Sequence, residues 1–169
     1  MIQSFLNYLQ FNRGLSANTL IAYRNDLRDF ARFVNEYYTG TRWSTVTKRQ
    51  IDAFVASMST NGYEPATIKQ HISTLRTFFK TCRAMGAEIA NPAQYVSTPK
   101  VANELPKCIE HSAIMTALES EKTEPQAKAL IALIYETGLR LQEVLDLDGR
   151  DIDEQQHTMI VKGKGNKER

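Results

Sequence analysis

The stretch Tyr135–Arg169, YETGLRLQEVLDLDGRDIDEQQHTMIVKGKGNKER, decides how the rest of the chain is read. Its first residues end an apolar helix, and Thr137-Gly138 breaks it. Glycine is the usual residue just past a helix end because it accepts the left-handed backbone without strain. A short second helix is predicted from Leu141 to Leu147, with Arg140 at its mouth and Glu143 one turn on. A helix mouth carries unpaired N–H groups and a partial positive charge, so an arginine there concentrates attraction for anions. An acidic run, Asp146 to Glu154, leads to a predicted strand at Thr158-Met159-Ile160-Val161. Gly163-Lys164-Gly165-Asn166 then reads as a hairpin turn whose returning strand lies past Arg169. On this reading the strand edge at Thr158–Val161 is unpaired, so the segment is expected to fray or to be held by another chain.

Upstream of that stretch, the helix carrying ALIALIYE is apolar over most of its circumference, and a central, buried position is predicted for it. Before it, a helix bears Ile114, Ala117 and Leu118. Asn91 to Pro106 (NPAQYVSTPKVANELP) holds three of the five prolines and no periodicity, and reads as an extended interdomain linker. The first 90 residues read as four amphipathic helices with short connections, which implies a helical bundle. The first carries Ile2, Phe5, Leu6 and Leu9 and stops at Gly14. The second is capped by Ser16 and runs to about Asn35, with Leu20, Tyr23, Leu27, Phe30 and Val34 as one apolar stripe. Arg24, Arg28 and Arg32 stack on another face, with Asp29 close enough to partner some of that charge. Trp43 is expected to pack over the bundle. The third helix is capped by Thr47 and closed by Asn61-Gly62. The fourth starts at Pro65, runs to about Met85 and turns Ile68, Ile72, Leu75, Phe79 and Cys82 inward, leaving Lys69, Arg76, Lys80 and Arg83 off that stripe.

At 169 residues the chain is long enough for one ordinary domain or two small ones. Its net charge of +2 hides an asymmetry: residues 1–100 hold 12 Lys/Arg against 6 Asp/Glu, and residues 101–169 hold 9 against 13. On charge alone the basic half reads either as a solvated surface or as the face for a polyanionic partner. No apolar run approaches the roughly 18 residues that span a bilayer, and the N-terminus lacks a basic-then-apolar signal, so a cytoplasmic protein with no membrane partner is expected. Cys82 and Cys108 are not in a CxxC pair, and His71, His111 and His157 are scattered, so neither a disulfide nor a metal site is expected. Gly163-Lys164-Gly165 lacks the GxxxxGK[ST] spacing and a following helix, which excludes a phosphate-binding P-loop.

TGLRLQEVLDLDGRDID followed by VKGKGNKER resembles the tyrosine recombinases, the phage-integrase and Xer-type enzymes that cut and rejoin DNA. The resemblance implies that Arg140 binds the scissile phosphate, that Lys164 reaches the leaving 5′ oxygen, and that Glu143 helps hold the arginine. GLSANTLIAYRNDLRDFARFV and EPATIKQHISTLRTFFKTCRAMG resemble the second and fourth helices of the family's core-binding domain. That implies DNA contacts from Ser16, Thr19, Thr67, Lys69 and Gln70. Short polar side chains at a helix N-terminus can bond phosphate oxygens, glutamine can pair with an adenine edge, and lysine can hold the backbone. The bland alternatives are that Ser16 is only a cap, Gln70 only solvated, Arg140–Glu143 only an i,i+3 ion pair and Lys164 only a turn residue.

The expected architecture is therefore mainly α: a four-helix, SAM-like core-binding domain over residues 1–90, a linker over 91–106, and over 107–169 the first part of a mixed α+β catalytic domain with a partial β-hairpin. The family's His-x-x-Arg box, its later His or Trp and its nucleophilic Tyr have no counterpart here, so the chain reads as the N-terminal part of a recombinase. None of the seven tyrosines fits the nucleophile's position. Cleavage without a metal or other cofactor needs a nucleophile, neutralised non-bridging oxygens and a proton for the leaving oxygen. Double-stranded DNA is the expected partner, with a tetramer on paired sites implied for the full-length enzyme. The competing readings are a stand-alone DNA-binding regulator and a helical protein-interaction module.

Overall fold

The computed structural model describes residues 1–101, 108–161, 163 and 168, and divides the chain into two units, Met1–Asn103 and Glu104–Arg169. The first unit consists of α1 (Ile2–Arg13), α2 (Ala17–Tyr37), α3 (Lys48–Thr60) and α4 (Pro65–Ala84). Local chemistry sets the helix starts. Ser16 accepts the Thr19 N–H at 3.4 Å. Thr47 and Gln50 form a reciprocal box, with Thr47 N–H to Gln50 Oε1 at 2.9 Å and Gln50 N–H to Thr47 Oγ1 at 3.3 Å. Pro65 occupies the first turn of α4, where no backbone donor is lost.

Helix α4 is the centre of this unit, packing against α1, α2, α3 and a 3₁₀ turn at Pro92–Tyr95. Being surrounded, it buries more than the predicted stripe: Phe78, His71 and Thr74 are buried beside Ile68, Ile72, Leu75, Phe79 and Cys82. Aromatic rings link the helices around it. Phe5 meets Phe78 edge-on at 5.2 Å between centroids, Trp43 lies 4.5 Å from Phe78 and 5.8 Å from Phe30, and Phe30 meets Phe54 at 5.3 Å. Trp43 covers the bundle as expected, half-buried against the core.

Two expectations change in this unit. The proline-rich segment does not begin as an extended linker: Pro92, Ala93 and Val96 are buried against the first unit. Arg76, expected as a basic group off the core stripe, is what holds that segment. Its Nε donates to the Ala93 carbonyl at 3.0 Å and its Nη2 to the Val96 carbonyl at 2.6 Å, while Asn91 Nδ2 donates back to the Arg76 carbonyl at 3.2 Å. The turn's end carbonyls need donors, and a long guanidinium from the neighbouring helix supplies them.

The second unit comprises α5 (His111–Glu119), α6 (Pro125–Thr137), α7 (Leu141–Leu145) and an antiparallel pair, β1 (Ile152–Asp153) with β2 (Thr158–Met159). The pair is in register as Ile152 with Met159 and Asp153 with Thr158. The strand predicted at Thr158–Val161 is thus shorter, and its described partner lies upstream, inside what reads as an acidic loop. The Ile160 N–H continues the contact to the Asp151 carbonyl at 2.8 Å. Helix α6 is also not buried as predicted: Leu130, Leu133 and Ile134 are only partly covered, around a small core of Leu139, Val144 and Val161. The physical reason is supply, since this unit packs too few apolar side chains against α6 to cover its whole circumference. No helix among the described residues is long and apolar enough to cross a membrane.

Phe30 is 1% exposed and Phe11 is 79% exposed. Phe30→Ala is expected to destabilise the first unit by about 3–5 kcal/mol in chemical denaturation, and Phe11→Ala by no more than about 0.5 kcal/mol. Burial raises the Cys82 thiol above its ordinary pKa, whereas Cys108 is exposed. A thiol-specific reagent at pH 8 should therefore label one cysteine of the native chain quickly, and the second only on unfolding, because the thiolate is the reactive form.

Candidate nucleic-acid interface and phosphate site

In the second unit each residue of TGLR has a separate job. The Thr137 hydroxyl donates back to the Leu133 carbonyl and accepts the Leu139 N–H at 3.3 Å, closing α6. Gly138 takes the left-handed conformation at φ 64°, where a side chain would be strained even though a Cβ would meet nothing within 4 Å. Leu139 is buried and anchors the turn. Arg140 then leaves the core as the residue preceding α7.

Glu143, 7% exposed, holds Arg140 twice: Oε2 accepts the Arg140 backbone N–H at 2.9 Å and Oε1 accepts Nη1 at 2.8 Å. The Arg140 side chain is nevertheless 71% exposed. Its Nε and Nη2 make no hydrogen bond to the described residues. One edge of the guanidinium is therefore fixed and the adjoining edge faces outward, which is the geometry for a bidentate oxyanion contact. Lys164, and with it most of the predicted Gly163–Asn166 turn, lies outside the described residues. Further along the chain, Asp148 accepts the Arg150 N–H at 3.2 Å and a guanidinium N–H at 2.8 Å.

In the first unit the predicted DNA-contacting residues fall into two groups. Ser16 and Thr19 share a hydroxyl contact of 2.9 Å at the start of α2, so Ser16 is a cap whose oxygen stays exposed. Thr67, Lys69 and Gln70 lie in the first turns of α4. Lys69 and Gln70 are exposed, and Thr67 is half-buried with its carbonyl 3.0 Å from His71 Nδ1. The helices run antiparallel where they touch, because Asp26 meets Thr74 while Asp29 meets His71. The two groups are therefore not brought together. A groove of about 420 Å³ beside the start of α2 adds Arg13 and Lys80, which local sequence patterns had not singled out for this end. Arg28 and Arg32 are exposed on α2, with Asp29 3.6 Å from Arg32.

Missed altogether was a polar cluster between α2 and α4. Asp26 is 9% exposed, and its Oδ2 accepts the Thr74 hydroxyl at 2.5 Å. Gln70 Nε2 lies 3.5 Å from the same oxygen and 3.4 Å from Thr74 Oγ1. His71 Nε2 stands 3.6 Å from Asp26 Oδ1 and 3.7 Å from Asp29 Oδ2. The available signal was an aspartate one residue before a core leucine in an otherwise amphipathic helix.

The first unit is thus a helical bundle with a hydroxyl-capped helix, and the second an α+β unit with an outward arginine after a glycine turn. Residues 2–86 match the phage integrase N-terminal SAM-like domain, and residues 109–169 match the phage integrase family. The chain belongs to the phage integrase family of tyrosine recombinases. It is 35% identical to tyrosine recombinase XerC of Herpetosiphon aurantiacus, over 99% of this chain and 56% of the relative. It is 34% identical to tyrosine recombinase XerD of Proteus mirabilis, over 100% of this chain and 55% of the relative. The chain thus spans a little over half the length of these relatives. Its fold is also that of a lambda integrase dimer bound to a COC′ core site, with a TM-score of 0.74 at 19% identity, over 99% of this chain and 47% of that one.

Removing the Glu143 acceptor should loosen the first turn of α7. In Glu143→Ala the Arg140 amide is expected to lose roughly tenfold in hydrogen-exchange protection, with α1–α4 amides unchanged. Unchanged protection at Arg140 would show that Glu143 does not hold it.

Proposed function

We propose that this chain is the DNA-binding part and the first catalytic segment of a site-specific DNA recombinase that cleaves and rejoins strands through a 3′-phosphotyrosyl intermediate. The observation that carries the reading is Arg140, fixed on one edge by buried Glu143 and open on the other, in a chain of this family. Arg140 neutralises a non-bridging oxygen of the scissile phosphate as charge builds there, and stays charged throughout. Lys164 supplies the proton to the leaving 5′ oxygen. The attacking tyrosine belongs to sequence beyond this chain, so the chain binds DNA and does not cut it. The phosphoester energy is kept in the covalent intermediate, and rejoining needs no ATP.

Double-stranded DNA is the substrate, held by the exposed Ser16, Lys69 and Gln70 and the half-buried Thr19 and Thr67 on the more basic half of the chain. A cytoplasmic location goes with that substrate. Among proteins of this fold, lambda integrase has been solved as a tetramer bound to a Holliday junction. We take the full-length protein to work as a tetramer on paired sites.

Two measurements test the proposal. Binding of this chain to duplex DNA should weaken with salt, with a log–log slope near −0.9 per phosphate contact. Absent or salt-insensitive binding would sink the DNA-binding reading. A nicked suicide substrate should give no covalent protein–DNA band with residues 1–169, but should give one with the extended polypeptide carrying the His-x-x-Arg box and the tyrosine. In that polypeptide Arg140→Ala should lower the cleavage rate by at least about 10²-fold.

A further inference from the structure

The exposed amide of Gln70 is not oriented by solvent. Its Nε2 is shared between two oxygens, Asp26 Oδ2 at 3.5 Å and Thr74 Oγ1 at 3.4 Å. Neither tolerates the carbonyl end of the amide. A carboxylate oxygen only accepts, and the single Thr74 hydroxyl proton is already donated to Asp26 at 2.5 Å, leaving Thr74 Oγ1 as an acceptor too. Thr74 is 0% exposed, so water does not compete for its hydroxyl. The remaining Asp26 oxygen is faced by His71 Nε2 at 3.6 Å, and the carboxylate is held between two helices rather than on one. A flipped amide would set Oε1 against two acceptors, so the orientation with Nε2 inward is the favoured one for Gln70. Gln70 is an exposed residue, and with Nε2 turned toward Asp26 and Thr74 its Oε1 makes no hydrogen bond to the described residues.

We propose that Asp26 and Thr74 are positioning residues that lock Gln70 to read a base carrying an exocyclic amino group on its major-groove edge. The reading rests on the DNA-binding function proposed above. Outward Oε1 accepts from adenine N6 or cytosine N4. Only adenine also offers N7 to the second Nε2 proton, giving the bidentate pair; guanine and thymine present an oxygen at that place and repel Oε1. A glutamine able to flip would accept either pattern, so the buried Asp26–Thr74 pair converts a permissive side chain into a selective one. Lys69 beside it lacks such discrimination because it carries donors only.

The test is selection of bound duplexes from a randomised library with residues 1–169 and its variants, each checked for folding by thermal melting. The wild-type chain should enrich adenine or cytosine at one position, about tenfold or more over guanine and thymine. Gln70→Ala should abolish that preference at that position alone. Thr74→Val and Asp26→Asn should broaden it to admit guanine and thymine, with affinity for unrelated duplex unchanged, and Thr74→Ser should restore it. Replacing the preferred base by an analogue without the amino group should lower wild-type binding by the same factor, and adenine is told from cytosine by the enriched base itself. Preference unchanged in folded Thr74→Val overturns the positioning role, whether or not Asp26→Asn folds. A wild-type profile with no position that responds to Gln70→Ala overturns base reading by Gln70 while leaving salt-dependent binding intact. Loss of all DNA binding by the wild type overturns the underlying function as well.

Discussion

The first unit is held together by a single helix that has to satisfy neighbours on nearly every side. Helix α4 buries eight side chains, and its Phe78 is in ring contact with α1 through Phe5 and with the Trp43 turn. Trp43 in turn reaches Phe30 on α2, which meets Phe54 on α3. The edge-to-face pairs among them, Phe5–Phe78 and Phe30–Phe54, add about 0.5–1.5 kcal/mol each beyond their burial. They also fix helix rotation, since a ring edge fits a neighbour's face in few orientations. Because α4 cannot rotate without breaking several of these contacts, the residues on its outer flank are held at fixed angles to α2.

A polar cluster inside such a core needs a reason. Burying Asp26 costs more than a well-packed leucine would, and one ion pair or hydrogen bond seldom does more than offset that cost. What the cluster adds is direction. Apolar contacts tolerate small slides of one helix over another, whereas a 2.5 Å hydroxyl–carboxylate contact between Asp26 and Thr74 does not. His71 Nδ1 lies against the Thr67 carbonyl, and its buried Nε2 stands 3.6 and 3.7 Å from carboxylates on two successive turns of α2, without a hydrogen bond to the described residues. The pairing of Asp26 with Thr74, and of Asp29 with His71, reflects the antiparallel setting of the two helices. That setting is also why Ser16 with Thr19 and Thr67 with Gln70 form separate patches.

Helical periodicity and caps made the four helices legible, because Ser16, Thr47 and Pro65 act locally and their partners lie within three residues or none is needed. The TGLR turn was legible for the same reason: Thr137, Gly138 and Arg140 with Glu143 all act within one turn. Features depending on distant partners were not. Arg76 reads as one more surface charge until Ala93 and Val96 fold back against it, 17 and 20 residues away. Asp26 has no partner in its own stretch of sequence; Thr74, 48 residues on, supplies the hydroxyl it accepts. Strand β1 was missed because a two-residue strand in an acidic run carries no period-two signal, whereas β2 falls at the start of the predicted strand. Helix α6 shows the converse error: apolar composition states what a helix could bury, while coverage depends on how much apolar surface is packed around it.

The Arg140–Glu143 pair shows why exposure and burial are split between partners in a site of this kind. An ion pair to an arginine that is 71% exposed contributes little to stability after screening by water. A carboxylate at 7% exposure is nonetheless kept in place, and part of what satisfies it is the backbone N–H of the same arginine. Glu143 therefore orients more than it stabilises. By taking Nη1 it uses up one donor of five and leaves the Nε–Nη2 edge, whose two parallel N–H bonds match the spacing of two oxygens on one tetrahedral phosphorus. Had both edges been paired, a phosphate would have to break an existing contact before gaining a new one. With neither paired, it would have to order a long, freely rotating side chain on arrival. Holding one edge removes the second cost without incurring the first, which under the proposed function is the arrangement that favours charge developing on phosphate oxygens.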